Sequence, residues 1–276
     1  MVMGMQKNFV SLFTGAYSLV RPDKLMHIAM FRRAFVYAYF IYKKLFEDPF
    51  WNLVRRQPEL FQNGDILDIG ANIGYTASVF AGARKPDSKV YAFEPDRQTY
   101  KLLGEVIRRK KLSGVIEAIN IAVGSSEGQI RFWHNQKHSA DHRVVTENFR
   151  FACPDEANIS AVPITTVDSF VKTRNLQNIS FIKIDVQGYE LAVCEGMKET
   201  LNRFPETCVC LEHSPDALKE LGFEPGKIID FFRSREYQLY VLTRGIPQFV
   251  ADNESLERFL SPAGYVDLLC SKRALV

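Results

Sequence analysis

The chain has 276 residues, 46% of them hydrophobic and 24% charged, with 35 Lys and Arg against 32 Asp and Glu. This is the composition of a globular protein with a sizeable core, and a formal charge of +3 excludes both a disordered polyelectrolyte and a surface built mainly for nucleic acid. The five cysteines (Cys153, Cys194, Cys208, Cys210 and Cys270) contain no C-x-x-C pair, and their odd number gives no support to a disulfide framework, so a reducing, cytoplasmic setting is expected.

The first 62 residues read as a helical extension or cap. Residues 34–42, AFVYAYFIY, are an unbroken apolar and aromatic run between Arg32-Arg33 and Lys43-Lys44. Nine residues cannot cross a bilayer, which needs about 20 in a helix. The opening MVMGMQKNFVSLF lacks the pattern of a secretory signal. Residues 25–46 therefore suit an amphipathic helix packed on the main domain, a weak peripheral contact with anionic membrane, or a cap over a substrate cleft. Asp48-Pro49 and Gln57-Pro58 break the pattern into short helices.

From residue 63 onward strands and helices alternate. Strands are expected at 65–69, 90–93, within 115–123, at 181–185, 208–212, 237–242 and 265–270, with helices at 75–83, 97–111, 191–201 and 226–234. A polar insertion at 124–163 carries one strand near 129–133. Short, continuously apolar strands separated by helices indicate a doubly wound α/β sandwich, a parallel sheet covered on both faces. No helix of normal length separates the last two strands, so the final strand is expected to run antiparallel.

In such sheets ligands bind beyond the carboxyl ends of the strands. The first strand ends in Asp68-Ile69-Gly70-Ala71-Asn72-Ile73-Gly74, a glycine turn leading into a helix whose first turn Thr76 can cap. Taken alone it is a tight turn. Glu94, at the end of the second strand and 20 residues after Gly74, adds an acid placed to accept hydrogen bonds from both hydroxyls of a ribose. The loop lacks G-x-G-x-x-G, and Asp68 would repel a pyrophosphate while engaging an ammonium or a water, which suits the amino-acid end of S-adenosylmethionine. The absence of G-x-x-x-x-G-K-[ST] argues against a P-loop enzyme.

D-I-G-A-N-I-G-Y-T, the F-E-P of 93–95, the N-I-A-V-G of 120–124, the T-T-V-D-S-F of 165–170 and the F-I-K-I-D-V-Q-G-Y-E of 181–190 occur in an order that resembles the FkbM family of S-adenosylmethionine-dependent methyltransferases, over roughly 64–272. The resemblance implies a seven-stranded class I methyltransferase sheet with a reversed last strand, and O-methylation of a hydroxyl on a sugar, glycan or natural product. It also implies that Asp68, Gly70, Asn72 and Gly74 surround the methionine end of the cofactor, that Glu94 binds the ribose, that Asn120 to Ala122 flank the adenine, and that Asp185 faces the methyl group; Ala71 and Thr76, in the same turn and helix start, are counted with the cofactor-binding residues. The family commonly has Glu where this chain has Gln187. If that position binds acceptor or metal, a charge is lost; if it caps the next helix, Gln is a fair replacement.

A hydroxyl acceptor must lose its proton, and Asp185, Glu190, Glu212 and His213 are the candidates at the strand ends. Helix-dipole stabilisation is the plain explanation of Glu190 and a loop-satisfied imidazole that of His213, while Lys183 is expected in a structural ion pair. Asp185 with Glu212 would serve a divalent metal, but two carboxylates alone do not make a metal site, and metal is not favoured. His134, His138 and His142, four apart, would share a helix face as zinc ligands, although no helix signal is strong there and substrate-loop or exposed histidines fit better. Phe132 and Trp133 are candidates for stacking on a sugar, with strand packing the plainer reading. The rival readings are an NAD-dependent oxidoreductase and a non-catalytic scaffold at a membrane surface.

Overall fold

The computed structural model describes residues 29–44, 48–135, 142–149, 156–260 and 264–275. The chain divides into two units, Met1–Asp48 with Gln136–His138, and Pro49–Asn135 with Ser139–Val276. In the first, α1 spans Ala29–Tyr42, with Tyr37 and Ile41, one turn apart, both exposed. Residues 1–28, which include the start of the expected 25–46 helix, lie outside the described residues.

The second unit begins with α2 (Phe50–Arg56) and a 3-10 turn (Pro58–Phe61). These residues belong to its core: Phe50, Leu53, Leu60 and Phe61 are buried, and Phe61 packs on Phe181 with ring centroids 4.6 Å apart. Phe80 lies 5.3 Å from both Phe50 and Phe181, which makes a four-ring cluster.

In chain order there follow β1 (Asp65–Ile69), α3 (Tyr75–Ala83), β2 (Val90–Phe93), α4 (Arg97–Arg109), β3 (Ile116–Ile119), β4 (Ala122–Val123), β5 (Gly128–Trp133), β6 (Arg143–Val144), β7 (Ile159–Thr165), α5 (Val167–Thr173) and β8 (Ile179–Ile184). Then come α6 (Glu190–Glu195), α7 (Lys198–Arg203), β9 (Cys208–His213), α8 (Pro215–Glu220), α9 (Gly226–Arg233), β10 (Gln238–Thr243), β11 (Ile246–Phe249), α10 (Asn253–Phe259) and β12 (Val266–Ser271). Side chains start several helices by accepting an orphan amide: Asp96 accepts from the Thr99 N–H at α4, Thr166 from Ser169 at α5, and Asp252 with Ser255 forms a capping box at α10.

Among the described residues the main sheet has eight strands in the order β11-β10-β12-β9-β8-β1-β2-β3. β3, β2, β1, β8 and β9 run parallel, and β12 enters between β9 and β10 antiparallel to both, as expected for the last strand. The eighth strand, β11, folds back on β10 at the Arg244-Gly245 turn and extends the seven-stranded arrangement by one edge strand. The insertion forms a second sheet, β4-β7-β5-β6. Its strand near 129–133 is β5; its partner β7 escapes a periodicity reading because its residues alternate irregularly and include Pro163. The single helix expected at 191–201 is two, because the chain turns at Gly196, where a Cβ would lie 2.0 Å from the Gly124 carbonyl oxygen.

Each central strand is apolar on both faces. Leu67, Ile69, Ile182, Ile184, Val209 and Leu211 face one layer of helices; Ile66, Phe181, Cys208 and Cys210 face the other. Burial of such side chains, each contributing about 1.5–3 kcal/mol, supplies the main driving force for the layered fold. On the second face the series ends in charge: Ile66 is followed by Asp68, Phe181 by Lys183, and Cys210 by Glu212.

Candidate active site

Three parallel strand ends make the candidate site. After β1 the chain turns through Gly70, whose φ of +82° is accessible to glycine and whose missing Cβ would sit 1.9 Å from the Asp185 carbonyl oxygen. The Gly70 and Ala71 N–H groups both donate to the Phe93 carbonyl, and the Asp185 N–H donates to the Ile69 carbonyl, so the ends of β1, β2 and β8 are tied together. Asn72 takes a left-handed φ of +49° and directs its backbone N–H to Glu94 Oε2 at 3.0 Å. Glu94 Oε1 accepts from the Asp96 N–H at 2.8 Å. Each Glu94 oxygen thus keeps a lone pair for a further donor. Burial pushes this carboxyl up to about 8, opposed in part by those two amides.

Asn120 holds the same corner, its side-chain amide donating to the carbonyls of Glu94 (2.8 Å) and Pro95 (2.9 Å). Ala122 is buried at the start of β4. Thr76, proposed as a cap, does not cap: the N-cap of α3 is Gly74, without a side chain, and Thr76 is already inside the helix, so α3 has no side-chain cap. Gly74, at φ +85°, leaves its Cα face to Leu103, which a Cβ would approach to 2.5 Å.

Asp68 is fully buried and neither carboxylate oxygen has a close hydrogen-bond partner, the Ala77 N–H of α3 exerting a small pull on it. Lys183 Nζ lies 3.9 Å from its Oδ1 and 2.9 Å from Asp185 Oδ2, so the expected ion pair of Lys183 exists and faces two acids. Burial raises Asp68 to about 6 despite that ammonium.

Asp185 and Glu212 come together across β8 and β9. Gln187 Nε2 donates to Asp185 Oδ1 at 2.8 Å and reaches Glu212 Oε1 at 3.5 Å. Gln187 is therefore not a helix cap. Burial, then the neighbouring Asp185, Glu190 and Asp267, push Glu212 well above the carboxylate range against the pull of Lys183. Glu190 is buried, and its Oε1 accepts the Val186 (3.0 Å) and Gly188 (3.1 Å) N–H groups, so it closes the 186–188 turn in addition to standing in the first turn of α6. His213 follows Glu212 on β9 and points to the other face of the sheet; it is 4% exposed, its Nδ1 has no partner, and burial lowers it to about 4.

Sequence reading missed a second cluster beside this corner. His134 Nδ1 lies 2.7 Å from Asp96 Oδ2 and its Nε2 2.7 Å from Ser160 Oγ, while His142 Nε2 approaches Asp96 Oδ1 at 3.8 Å. The chain Glu94–Asp96–His134–Ser160 links the small sheet to the main one. The signal was the Asp two residues after Glu94, hidden by its ordinary role as an N-cap. His134 and His142 flank the ends of β5 and β6 and do not share a helix, which removes the helical basis of the zinc reading; His138 lies outside the described residues. Among the described residues no group of three or more His, Cys, Asp or Glu is arranged to hold a metal ion. Phe132 is buried in the small sheet, and Trp133 packs against Phe149 with ring centroids 6.5 Å apart.

The chain is similar to known proteins in sequence and in fold. The sequence matches the Methyltransferase FkbM domain over residues 68–239. It is 27% identical over 154 residues, 54% of this chain and 57% of the other, to the hexuronic acid methyltransferase AglP of Haloferax volcanii. It is 27% identical over 182 residues, 62% of this chain and 72% of the other, to the 2-O-methyltransferase NoeI of Sinorhizobium fredii. The fold superposes on the crystal structure of methyltransferase FkbM from Methylobacillus flagellatus with a TM-score of 0.51 and 16% identity, covering 84% of this chain and 50% of that one. The chain thus spans about half the length of that solved structure. With the domain match running from the Asp68 loop into β10, the chain belongs to the FkbM methyltransferase family and is a methyltransferase.

Proposed function

We propose that the chain is an S-adenosylmethionine-dependent O-methyltransferase acting on a hydroxyl of a sugar, a glycan or a related small molecule. The observation that carries this reading is the convergence of the Gly70–Asn72 turn, Glu94 and Asp185 at the carboxyl ends of β1, β2 and β8, tied by backbone hydrogen bonds. That AglP is a hexuronic acid methyltransferase and NoeI a 2-O-methyltransferase supports a sugar hydroxyl as acceptor.

The residues present fit the cofactor. The spare lone pairs of Glu94 suit two ribose hydroxyls, the tight Gly70 turn leaves room for close approach of a ligand to backbone, and the orphaned oxygens of Asp68 favour a positive or donor-rich neighbour. Gly70, Ala71, Asn72 and Gly74 would hold the methionine end, with Thr76 in the helix turn behind them; Glu94 would hold the ribose, and Asn120 to Ala122 would flank the adenine. When bound, the cofactor supplies an electrophilic methyl group on a sulfonium. The chain's own work is to exclude water, orient the acceptor oxygen and take its proton. Asp185 is the best-placed base: its side chain retains 31% exposure, where Glu212 is deeply set and His213 faces away. A dehydrogenase reading would place a pyrophosphate by Asp68, against like charge.

Titration of the full chain with S-adenosylhomocysteine, followed by calorimetry, tests the proposal. Binding in the wild type and its loss on Glu94→Gln are expected; no binding to folded protein would overturn it. Among the described residues no helix is long and apolar enough to cross a membrane. We place the protein in the cytoplasm, with α1 making a weak contact with anionic lipid through its exposed Tyr37 and Ile41. Flotation with phosphatidylserine vesicles equal to that with neutral vesicles would remove this contact.

A further inference from the structure

Gln187 occupies an unusual position. Its backbone lies at φ +54°, a left-handed conformation that costs a non-glycine residue about 1 kcal/mol, and it projects an amide between two acids. Such a conformation persists where the surroundings hold it, often at a functional site. Here the following turn is held by Glu190 through the Val186 and Gly188 amides.

The donors around the acids are unequal. Asp185 accepts from Lys183 Nζ on Oδ2 at 2.9 Å and from Gln187 Nε2 on Oδ1 at 2.8 Å. Among the described residues the side-chain donor to Glu212 is the same Gln187 amide, at 3.5 Å. The groups facing Glu212 are otherwise acidic: Asp185 beyond β8, Glu190 at the start of α6, and Asp267, its register partner on β12, with Lys183 as the cation. Two acids this close do not both ionise readily, and donors decide which of them carries the charge.

We propose that Gln187 is a positioning residue that fixes the single negative charge of the Asp185–Glu212 pair on Asp185, leaving Glu212 as the protonated member. The inference rests on the methyltransferase reading for its purpose: the acceptor hydroxyl gives its proton to Asp185, while Glu212, still protonated, can donate a hydrogen bond. An ionised carboxylate at position 187 could not serve, since it puts a second negative charge beside that of Asp185 and offers no donor. The raised proton affinity of Glu212 agrees with this division.

Carbon-13 NMR titration of side-chain carboxyls in the full chain, without cofactor, tests the proposal, with Asp185→Asn and Glu212→Gln used for assignment. In the wild type Asp185 ionises first and Glu212 gives up its proton only at higher pH. Gln187→Glu raises the apparent pKa of the group by about one pH unit or more, and Gln187→Met, similar in shape but without the amide, raises that of Asp185 by about one pH unit. A role limited to turn geometry would alter stability in either variant and leave both titrations within about 0.2 pH units of wild type, an outcome that overturns the proposal. Ionisation of Glu212 before Asp185 would also overturn it. Because no cofactor is added, these results stand apart from the S-adenosylhomocysteine titration, whose failure would instead remove the methyl-transfer purpose.

Discussion

Replacing Asp68 by Asn offers the sharpest test of how the site is built. The carboxyl is fully buried, lacks a close hydrogen-bond partner, and is raised by burial from its ordinary 3.8 to about 6. Because the folded state holds the proton more tightly than the unfolded chain, the carboxyl imposes no penalty below pH 3.8. The penalty grows between pH 3.8 and about 6 and is complete above that. A displacement of about two pH units corresponds to about 3 kcal/mol of lost stability at neutral pH, net of the attraction from Lys183. An Asn amide carries no charge but introduces a buried N–H donor, which costs about 1–3 kcal/mol at every pH if left unpaired. The pH dependence of the difference is therefore diagnostic, not its absolute size. Urea unfolding at pH 4.5, 6 and 8 should show the Asn variant gaining about 2 kcal/mol on the wild type between the first and last condition, while losing affinity for S-adenosylhomocysteine. A difference between the two proteins that is constant across pH would refute the account of Asp68 as a strained acid retained for ligand binding.

Other consequences follow from the same geometry. Gly70→Ala forces a Cβ against the Asp185 carbonyl at a left-handed φ, and should abolish S-adenosylhomocysteine binding in calorimetry with a clear fall in melting temperature. Phe61→Ala removes one ring of the four-ring cluster and should cost about 3–5 kcal/mol in urea unfolding, a loss that would be absent if residues 50–61 were dispensable to the main unit. Asp185→Asn keeps the shape of the proposed base without its charge; with an acceptor in hand, it should lower kcat about 100-fold or more with KM little changed. His134→Ala cuts the link between the small sheet and Asp96, and should lower the melting temperature by a few degrees, measured by calorimetry, while leaving the Asp96 cap on Thr99 in place.

Much of this was legible along the chain because it depends on neighbours in sequence. Runs such as Ile66-Leu67 and Phe181-Ile182 are apolar at successive positions, so both faces of their strands must be covered, and a doubly wound sheet follows. The Asp68–Gly74 turn and Glu94 stand at strand ends by spacing alone, and parity within β9 already sends Glu212 and His213 to opposite faces. What parity cannot tell is which strand lies alongside. That β8 sits between β1 and β9 places Lys183 between Asp68 and Asp185, and brings Glu212 within reach of Gln187, 25 residues earlier. The same dependence on packing puts Phe50 and Phe61 under the sheet, joins His134 to Asp96 across 38 residues, and adds β11 to the edge. Local pattern determined the elements and the position of the glycine turn. Burial and register between distant strands decided which charges meet, and so which acid retains a proton.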